Sequence, residues 1–175
     1  HTPVYYKELK PVVERLVITA LNRFGRLYIL FNNAGRPMRP TSIEALSEEE
    51  WDRIYAVNVK SIFLGAKYAV AEMRKGGGGV IINTASASGV RPRPLGSAYA
   101  SSKGAVILLT KSLALELARR NIRVNAINPV AAETPMLPSF AREGADMEEF
   151  RRNVLTTVPL GRLARPEDVA YAALY

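Results

Sequence analysis

The sequence lacks the side chains that many enzymes use for covalent catalysis or metal binding. It contains no cysteine, and its one histidine among 175 residues is His1. Without cysteine there can be no disulfide, thiol nucleophile or thiolate metal ligand, which fits the reducing cytoplasm. A single histidine argues against a zinc centre or a Ser-His-Asp triad, but not against a metal site made of carboxylates. We expect a cytoplasmic protein whose site holds no metal.

Long hydrophobic runs are also missing. The longest fully apolar runs, such as AVILL at 105–109, are far shorter than the roughly 20 residues that a membrane-spanning helix needs. We therefore predict no membrane partner. The segment at 1–10 has neither a starting methionine nor the apolar core of a signal peptide, and the other end stops inside a helical pattern. We expect part of a longer chain, with a stand-alone remnant as the alternative.

The composition is that of one globular domain. Apolar residues make up 48% of the sequence and charged residues 23%, and 175 residues suffice for a sizeable core. The net charge of +8 can attract nucleic acid, an anionic membrane or a phosphorylated ligand. The basic residues are scattered, however, and lack the interleaved aromatic residues on which bases stack. We predict a single domain over residues 1–175 and no nucleic-acid partner.

Short apolar runs alternate with helical patterns along the chain. Continuous apolar runs predict three strands buried on both faces, at 27–33, 80–86 and 122–128. Helical periodicity and end signals predict helices at about 13–24, 47–75, 98–120, 146–155 and 166–175. This alternation predicts an α/β fold with a doubly wound parallel sheet.

Two long helices are expected to carry much of this fold. Ser47 can cap the first, and Glu50 can return a hydrogen bond to the cap, which makes a capping box. The second, from about Ala98 to Arg120, is apolar almost all round at 106–109. One face can cover the sheet, and a partner subunit is the economical cover for the others. We expect a homo-oligomer, a dimer or tetramer formed through the two long helices.

Polar motifs follow each of the three predicted strands. In doubly wound sheets, ligands bind beyond the carboxyl ends of the strands. The motifs NNAG at 32–35, TAS at 84–86 and NPVAAET at 128–134 should therefore meet in one crevice.

Tyr99 and Lys103 lie four residues apart on the second long helix, so both can face this crevice. An ammonium about 5 Å away, at an effective dielectric of about 20, stabilises phenolate by roughly 3 kcal/mol, or about 2 pK units. The tyrosine pKa would fall from about 10 toward about 8, near the range in which a general acid or base works. The alternative is that Tyr99 packs and Lys103 is a surface charge.

Taken together, these motifs resemble the short-chain dehydrogenase/reductase family in order and spacing. The resemblance extends from about Val12 onward and rests on NNAG, Asn58 in VNV, Ser86, YASSK at 99–103 and NPVAAETPM at 128–136. The segments at 47–70 and 158–170 further resemble the branch that includes 3-oxoacyl-carrier-protein reductases and glucose 1-dehydrogenases. The resemblance implies a Rossmann-like sheet of which the central and C-terminal part is present.

What the resemblance implies is an interconversion of a secondary alcohol and a ketone that depends on NAD or NADP. Tyr99 would be the general acid/base, and Ser86 would hold the substrate oxygen beside it. Lys103 would lower the tyrosine pKa and bind the ribose of the nicotinamide half. Asn58 would hold a water that links Lys103 to solvent, or it would only satisfy a helix kink.

Two loops complete the cofactor site that the resemblance implies. In the first, Asn32, Ala34 and Gly35 would line the path of the cofactor, and Asn33 either joins them or bonds neighbouring strands. The second loop would hold the carboxamide through Pro129, Ala132 and Thr134, although Val130 stands where the family has glycine. The region at 130–165 would form a lid over the substrate.

The sequence also departs from the family pattern. A strand and TGxxxGxG loop that would bind the cofactor phosphates have no counterpart, and the residue that selects NAD or NADP is missing with them. Both cofactors therefore stay open. A non-catalytic interaction module built on the two long helices is the competing hypothesis.

Overall fold

The structure is a computed structural model that describes the backbone of residues 4–175 and the side chains of residues 7–175, so His1 lies outside the described residues. The three strands are β1 (Ile29–Asn32), β2 (Gly79–Thr84) and β3 (Ile122–Ile127). The α-helices are α1 (Val4–Phe24), α2 (Glu48–Tyr55), α3 (Ser61–Lys75), α4 (Ser97–Leu117), α5 (Met147–Leu155) and α6 (Pro166–Leu174).

The strands form one parallel sheet in the order β1-β2-β3. Long helices connect consecutive strands, as parallel pairing requires. This arrangement confirms the predicted α/β class with an incomplete parallel sheet. Because parallel strands start and end at the same edges, the loops after β1, β2 and β3 lie along one rim.

The main core lies between one face of the sheet and helices α3 and α4. Ile81 in β2 is fully buried there, against Met73 of α3 and Leu117 of α4. The opposite face of the sheet is partly exposed, so the prediction that all three strands are buried on both faces was wrong for β1. In β1, Ile29 and Phe31 are 59% and 40% exposed, so this strand is not buried on both faces in the described chain. Both long helices cover the same face, and the sequence run alone does not reveal that.

The helical segment predicted at 47–75 is interrupted. A π-helical turn at Ala56–Lys60 joins α2 to α3. At the start of α2, the Glu50 amide donates to the Ser47 side chain at 3.2 Å, as the predicted cap requires. The returning half of the capping box is not formed, because the Glu50 carboxylate pairs with the guanidinium of Arg36 at 2.9 Å. A charged partner from the loop after β1 replaces the cap amide.

The C-terminal region forms a smaller unit beside the sheet. Leu137, Val154 and Leu163 make a cluster of their own, separate from the main core. A bridge between Ala132 and Ala164 ties the two ends of this region together. Among the described residues, no helix is long and apolar enough to cross a membrane, and no group of three or more acidic, histidine or cysteine side chains could hold a metal ion.

Candidate active site

Tyr99, Ser86 and Lys103 meet at the rim of the sheet. Ser86 follows the end of β2, and its Oγ accepts the amide hydrogen of Ser88 at 3.1 Å. It lies near enough to Tyr99, in the first turn of α4, to influence the pKa of that phenol. Lys103, one turn later, is only 3% exposed, and its Nζ donates to the carbonyl of Thr84 at 2.7 Å. The same nitrogen lies 5.9 Å from the centre of the Tyr99 ring. The structure thus brings together the hydroxyl, phenol and amine that the spacing predicted to share a crevice.

Burial dominates the electrostatics of this group. Burial raises the pKa of Tyr99 above its usual 10, and the interaction with the Ser86 side chain opposes the rise. Burial also lowers the pKa of Lys103 to about 8. The expected fall of the tyrosine pKa toward 8 is therefore wrong for the described chain. Coulomb's law alone predicts a lower value because it leaves out the cost of removing phenolate from water.

Asn58 lies inside the π turn and is completely buried. Its Oδ1 accepts the amide hydrogen of Arg36 at 2.7 Å, and its Nδ2 donates to the carbonyl of Arg36 at 3.1 Å. Nδ2 also donates to the hydroxyl of Ser102 at 3.0 Å. Both amide donors of Asn58 are therefore committed to protein groups. A water held by this residue would have to bind a carbonyl oxygen, of the side chain or of the backbone.

The residues at the end of β1 and in the loop after it point in different directions. The side chain of Asn32 donates to Asn83 at 2.8 Å and points toward α3, where a Cβ on Gly65 would lie 2.7 Å from its oxygen. It is therefore turned away from the rim, and only its backbone can line the predicted cofactor path. Asn33 accepts from Thr84 at 2.8 Å, so it bonds the neighbouring strand, which was one of its two predicted roles.

Ala34 and Gly35 stay at the rim. Ala34 is exposed, and a Cβ added to Gly35 would lie 3.5 Å from the Nζ of Lys103 and 3.7 Å from the Oδ1 of Asn58. A methyl group would thus touch both polar groups, and a longer side chain would fill the space in front of them. With glycine at this position, that space is not filled by a side chain of residue 35.

The loop after β3 joins the same rim. The carbonyl of Pro129 accepts the amide hydrogen of Ala87 at 3.0 Å, which fixes this loop beside Ser86. In the parallel bridge between Ala132 and Ala164, the hydrogen bonds to Ala164 come from residues 131 and 133. The amide of Ala132 itself therefore faces away from Ala164. The carbonyl of Thr134 accepts the amide hydrogen of Leu137 at 3.0 Å, in the turn that leads into the 3-10 helix at Leu137–Phe140. Val130 has no left-handed backbone, so the missing glycine causes no strain there.

Two contacts in the site were not assigned from the sequence. Ser102 lies between Tyr99 and Lys103 and is fully buried; its position inside YASSK was the available signal. Phe140 packs edge-on against Tyr99, with 5.1 Å between the ring centres. No sequence signal singles out this phenylalanine, because the contact depends on how the C-terminal region folds over α4.

The sequence has relatives among known proteins. The sequence profile of the family described as short chain dehydrogenase matches residues 9–144. A 4-formylbenzenesulfonate dehydrogenase (TsaC1/TsaC2) of Comamonas testosteroni is 44% identical over 91% of the chain, which spans 63% of that protein. The 3-oxoacyl-[acyl-carrier-protein] reductase FabG of Thermotoga maritima is 41% identical over 96% of the chain, which spans 64% of it.

The fold also resembles solved structures. The crystal structure of a 3-ketoacyl-(acyl-carrier-protein) reductase from Brucella melitensis, complexed with NADH, superposes with a TM-score of 0.87 at 40% identity. The match covers 94% of the chain and 66% of that structure. The chain belongs to the short chain dehydrogenase family, and it spans slightly less than two thirds of the length of the relatives named here.

Proposed function

We propose that the protein is an oxidoreductase that uses NAD or NADP to interconvert a secondary alcohol and a ketone. The observation that carries this proposal is the meeting of the Tyr99 and Ser86 hydroxyls beside the buried amine of Lys103. Two hydroxyls at one point offer a substrate oxygen a proton and a second hydrogen bond. Membership of the short chain dehydrogenase family, and the likeness to a reductase solved with NADH, support the same class of reaction.

The donors at the rim fit the nicotinamide half of such a cofactor. An ammonium has three N–H donors, and the described hydrogen bond to Thr84 uses one of the three on Lys103. The other two suit a diol such as ribose, with Gly35 leaving the approach open. Ala34 and the backbone of Asn32 would line the same path, and the Tyr99 hydroxyl would contact the ribose beside Lys103.

The protein groups act on the substrate oxygen. When bound, the nicotinamide supplies or accepts the hydride. In ketone reduction, Tyr99 donates its hydroxyl proton to the oxygen while Ser86 holds that oxygen by a hydrogen bond; in alcohol oxidation the proton returns to the Tyr99 oxygen. Because its pKa is raised, Tyr99 is protonated at neutral pH and is ready to donate. Ser86 and Tyr99 are thus also the residues that bind the substrate.

Lys103 and Asn58 would supply the route by which the proton is replaced. With a pKa of about 8, Lys103 carries its proton at neutral pH but gives it up readily. We assign Asn58 a water held on a carbonyl oxygen, since its amide hydrogens are already used. This water would connect Lys103 to bulk solvent.

The region at 130–165 is proposed to be the substrate lid. The cluster of Leu137, Val154 and Leu163 supports the 3-10 helix in which Phe140 packs against Tyr99. Arg93, in the loop before α4, donates to Thr157 at 2.7 Å and so joins this region to the site. At its start, Pro129, Ala132 and Thr134 would hold the cofactor carboxamide through their backbone groups and the threonine hydroxyl.

We also propose a cytoplasmic homo-oligomer. Leu108 and Leu115 of α4 are 70% and 83% exposed, and Phe63 of α3 is 46% exposed. Isolated exposed apolar residues are ordinary, but these lie on the two long helices for which the sequence predicts a partner. A second copy of the chain is the occupant we propose.

The test of the reaction is Tyr99→Phe in the complete protein. We expect turnover of secondary alcohols, ketones or 3-oxoacyl thioesters to fall by about 10²- to 10⁴-fold, because the proton donor is gone. The dissociation constant for NADH or NADPH, followed by nicotinamide fluorescence, should rise by only a few fold, as expected for the loss of one hydrogen bond to the ribose. Tyr55→Phe is the matched control, since that hydroxyl bonds only Ser101 on the exposed side of the helices in the described contacts. Unchanged turnover in Tyr99→Phe contradicts the proposal, as does wild-type protein that binds neither cofactor.

A further inference from the structure

Ser102 links helix α4 to the π turn that carries Asn58. It is completely buried, between the two residues of α4 that act in the proposed reaction. Its hydroxyl donates to the carbonyl of Tyr99 at 2.7 Å and accepts the Nδ2 hydrogen of Asn58 at 3.0 Å. One hydroxyl therefore bonds the helix that carries Tyr99 and the π turn that carries Asn58.

The contact continues into the loop after β1. The Asn58 side chain makes two hydrogen bonds to the backbone of Arg36: its Oδ1 accepts from the amide, and its Nδ2 donates to the carbonyl. Arg36 directly follows Gly35, whose Cα faces the Nζ of Lys103. The position of this loop relative to the ammonium is thus set by the amide of Asn58.

The orientation of that amide is set by Arg36, and Ser102 completes its hydrogen bonding. A flipped Asn58 would turn its NH₂ group toward the Arg36 amide hydrogen, so that two donors would face each other. It would also turn its oxygen toward the carbonyl of Arg36. In the observed orientation, Ser102 is the acceptor for the amide hydrogen that Arg36 does not take. Without this acceptor, a completely buried N–H group loses its hydrogen bond.

We propose that Ser102 is a positioning residue, which anchors the Asn58 amide by accepting its remaining hydrogen and so holds residues 33–36 beside Lys103 for binding the nicotinamide half of the cofactor. This inference rests on the proposed function. Ser102 itself touches neither substrate nor cofactor, because it is enclosed by Tyr99, Asn58 and the body of the helix.

The same helix offers a matched control. Thr110, two turns later, is also buried, accepts from the Nδ2 of Asn83 at 2.9 Å and donates to the carbonyl of Val106 at 2.8 Å. Ser102→Ala and Thr110→Val therefore remove the same kind of hydroxyl from the same kind of asparagine at nearly constant side-chain volume. The first asparagine, Asn58, bonds the backbone of Arg36 in the loop at the rim, whereas Asn83 accepts from the side chain of Asn32 at the end of β1, which is turned away from the rim.

The experiment is a titration of the complete protein with NADH and NADPH, followed by nicotinamide fluorescence, together with thermal unfolding. Both variants should lower Tm by a similar few degrees. Ser102→Ala should raise the dissociation constant of the preferred cofactor about tenfold and its KM similarly, with a smaller change in kcat. Thr110→Val should change the dissociation constant by less than twofold. Ser102→Thr, which keeps the hydroxyl, should restore binding toward the wild-type value.

Two results would overturn the inference: cofactor affinity unchanged in Ser102→Ala, or equally weakened in Thr110→Val. If Ser102→Ala does not fold, Ser102→Cys fills the site with a poor hydrogen-bond acceptor and carries the same expectation. Failure of the wild-type protein to bind either cofactor would instead overturn the proposed function, and this inference with it.

Discussion

The two halves of α4 differ in what their buried side chains contact. Between residues 97 and 106, the buried side chains include polar ones, and Ser102 and Lys103 bond to Asn58 and to the carbonyl of Thr84. Between residues 107 and 117, the helix ends in Leu117, which is 1% exposed among apolar residues of α3 and the sheet. The first half therefore concentrates the proposed chemistry, and the second half supplies stability.

The largest effect on stability is expected in the second half. Leu117→Ala removes a fully buried side chain and leaves a cavity, so it should lower the free energy of unfolding by about 2–5 kcal/mol. Cofactor affinity should not change while the protein stays folded. Urea unfolding and the fluorescence titration measure the two quantities.

Leu115→Ala is the control, because that side chain is 83% exposed in the chain. It should hardly change the stability of a monomer, but it should weaken the proposed subunit contact, which sedimentation velocity measures. Weakened cofactor binding in folded Leu117→Ala would contradict the separation of the two halves.

A smaller effect is expected from the charge in the first half. Burial lowers the pKa of Lys103 to about 8, against 10.5 for an ordinary lysine, so between these pH values the unfolded chain binds more protons than the folded one. The free energy of unfolding therefore gains a contribution that rises with pH across this window. Lys103→Met should remove up to about 2 kcal/mol of that rise between pH 8 and 9.5 in cofactor-free protein.

Urea unfolding at pH 7.5, 8.5 and 9.5 measures this difference. The window stops below pH 10 because the raised pKa of Tyr99 acts in the opposite sense there, where the unfolded tyrosine ionises first. Identical pH dependence in Lys103→Met and wild type would mean that the folded protein does not depress the pKa of Lys103.

The sequence predicted the placement of the site better than its energetics. The i, i+4 spacing of Tyr99 and Lys103 fixes their common face, and the end of β2 fixes Ser86, so local geometry sufficed. The pKa of Tyr99 is raised rather than lowered because desolvation depends on what covers the ring, including Phe140 from a distant segment. No local pattern contains that information.

The fold shows the same limit. The strands and long helices follow from apolar periodicity, but the π turn around Asn58 does not. An asparagine in this apolar stretch was the visible sign of an irregularity, while its partners, Arg36 and Ser102, are set by tertiary structure. Likewise, Asn32 turns away from the rim because Asn83 offers it a partner inside the structure.

The central claim is that Ser86 and Tyr99 act on one substrate oxygen. Single-turnover rates of ketone reduction in wild type, Ser86→Ala, Tyr99→Phe and the double variant test it most directly. Two groups that hold the same atom are coupled, so the double variant should lose at least about tenfold less than the product of the two single losses. Losses that simply multiply would show that the two hydroxyls act at separate places, which contradicts the account.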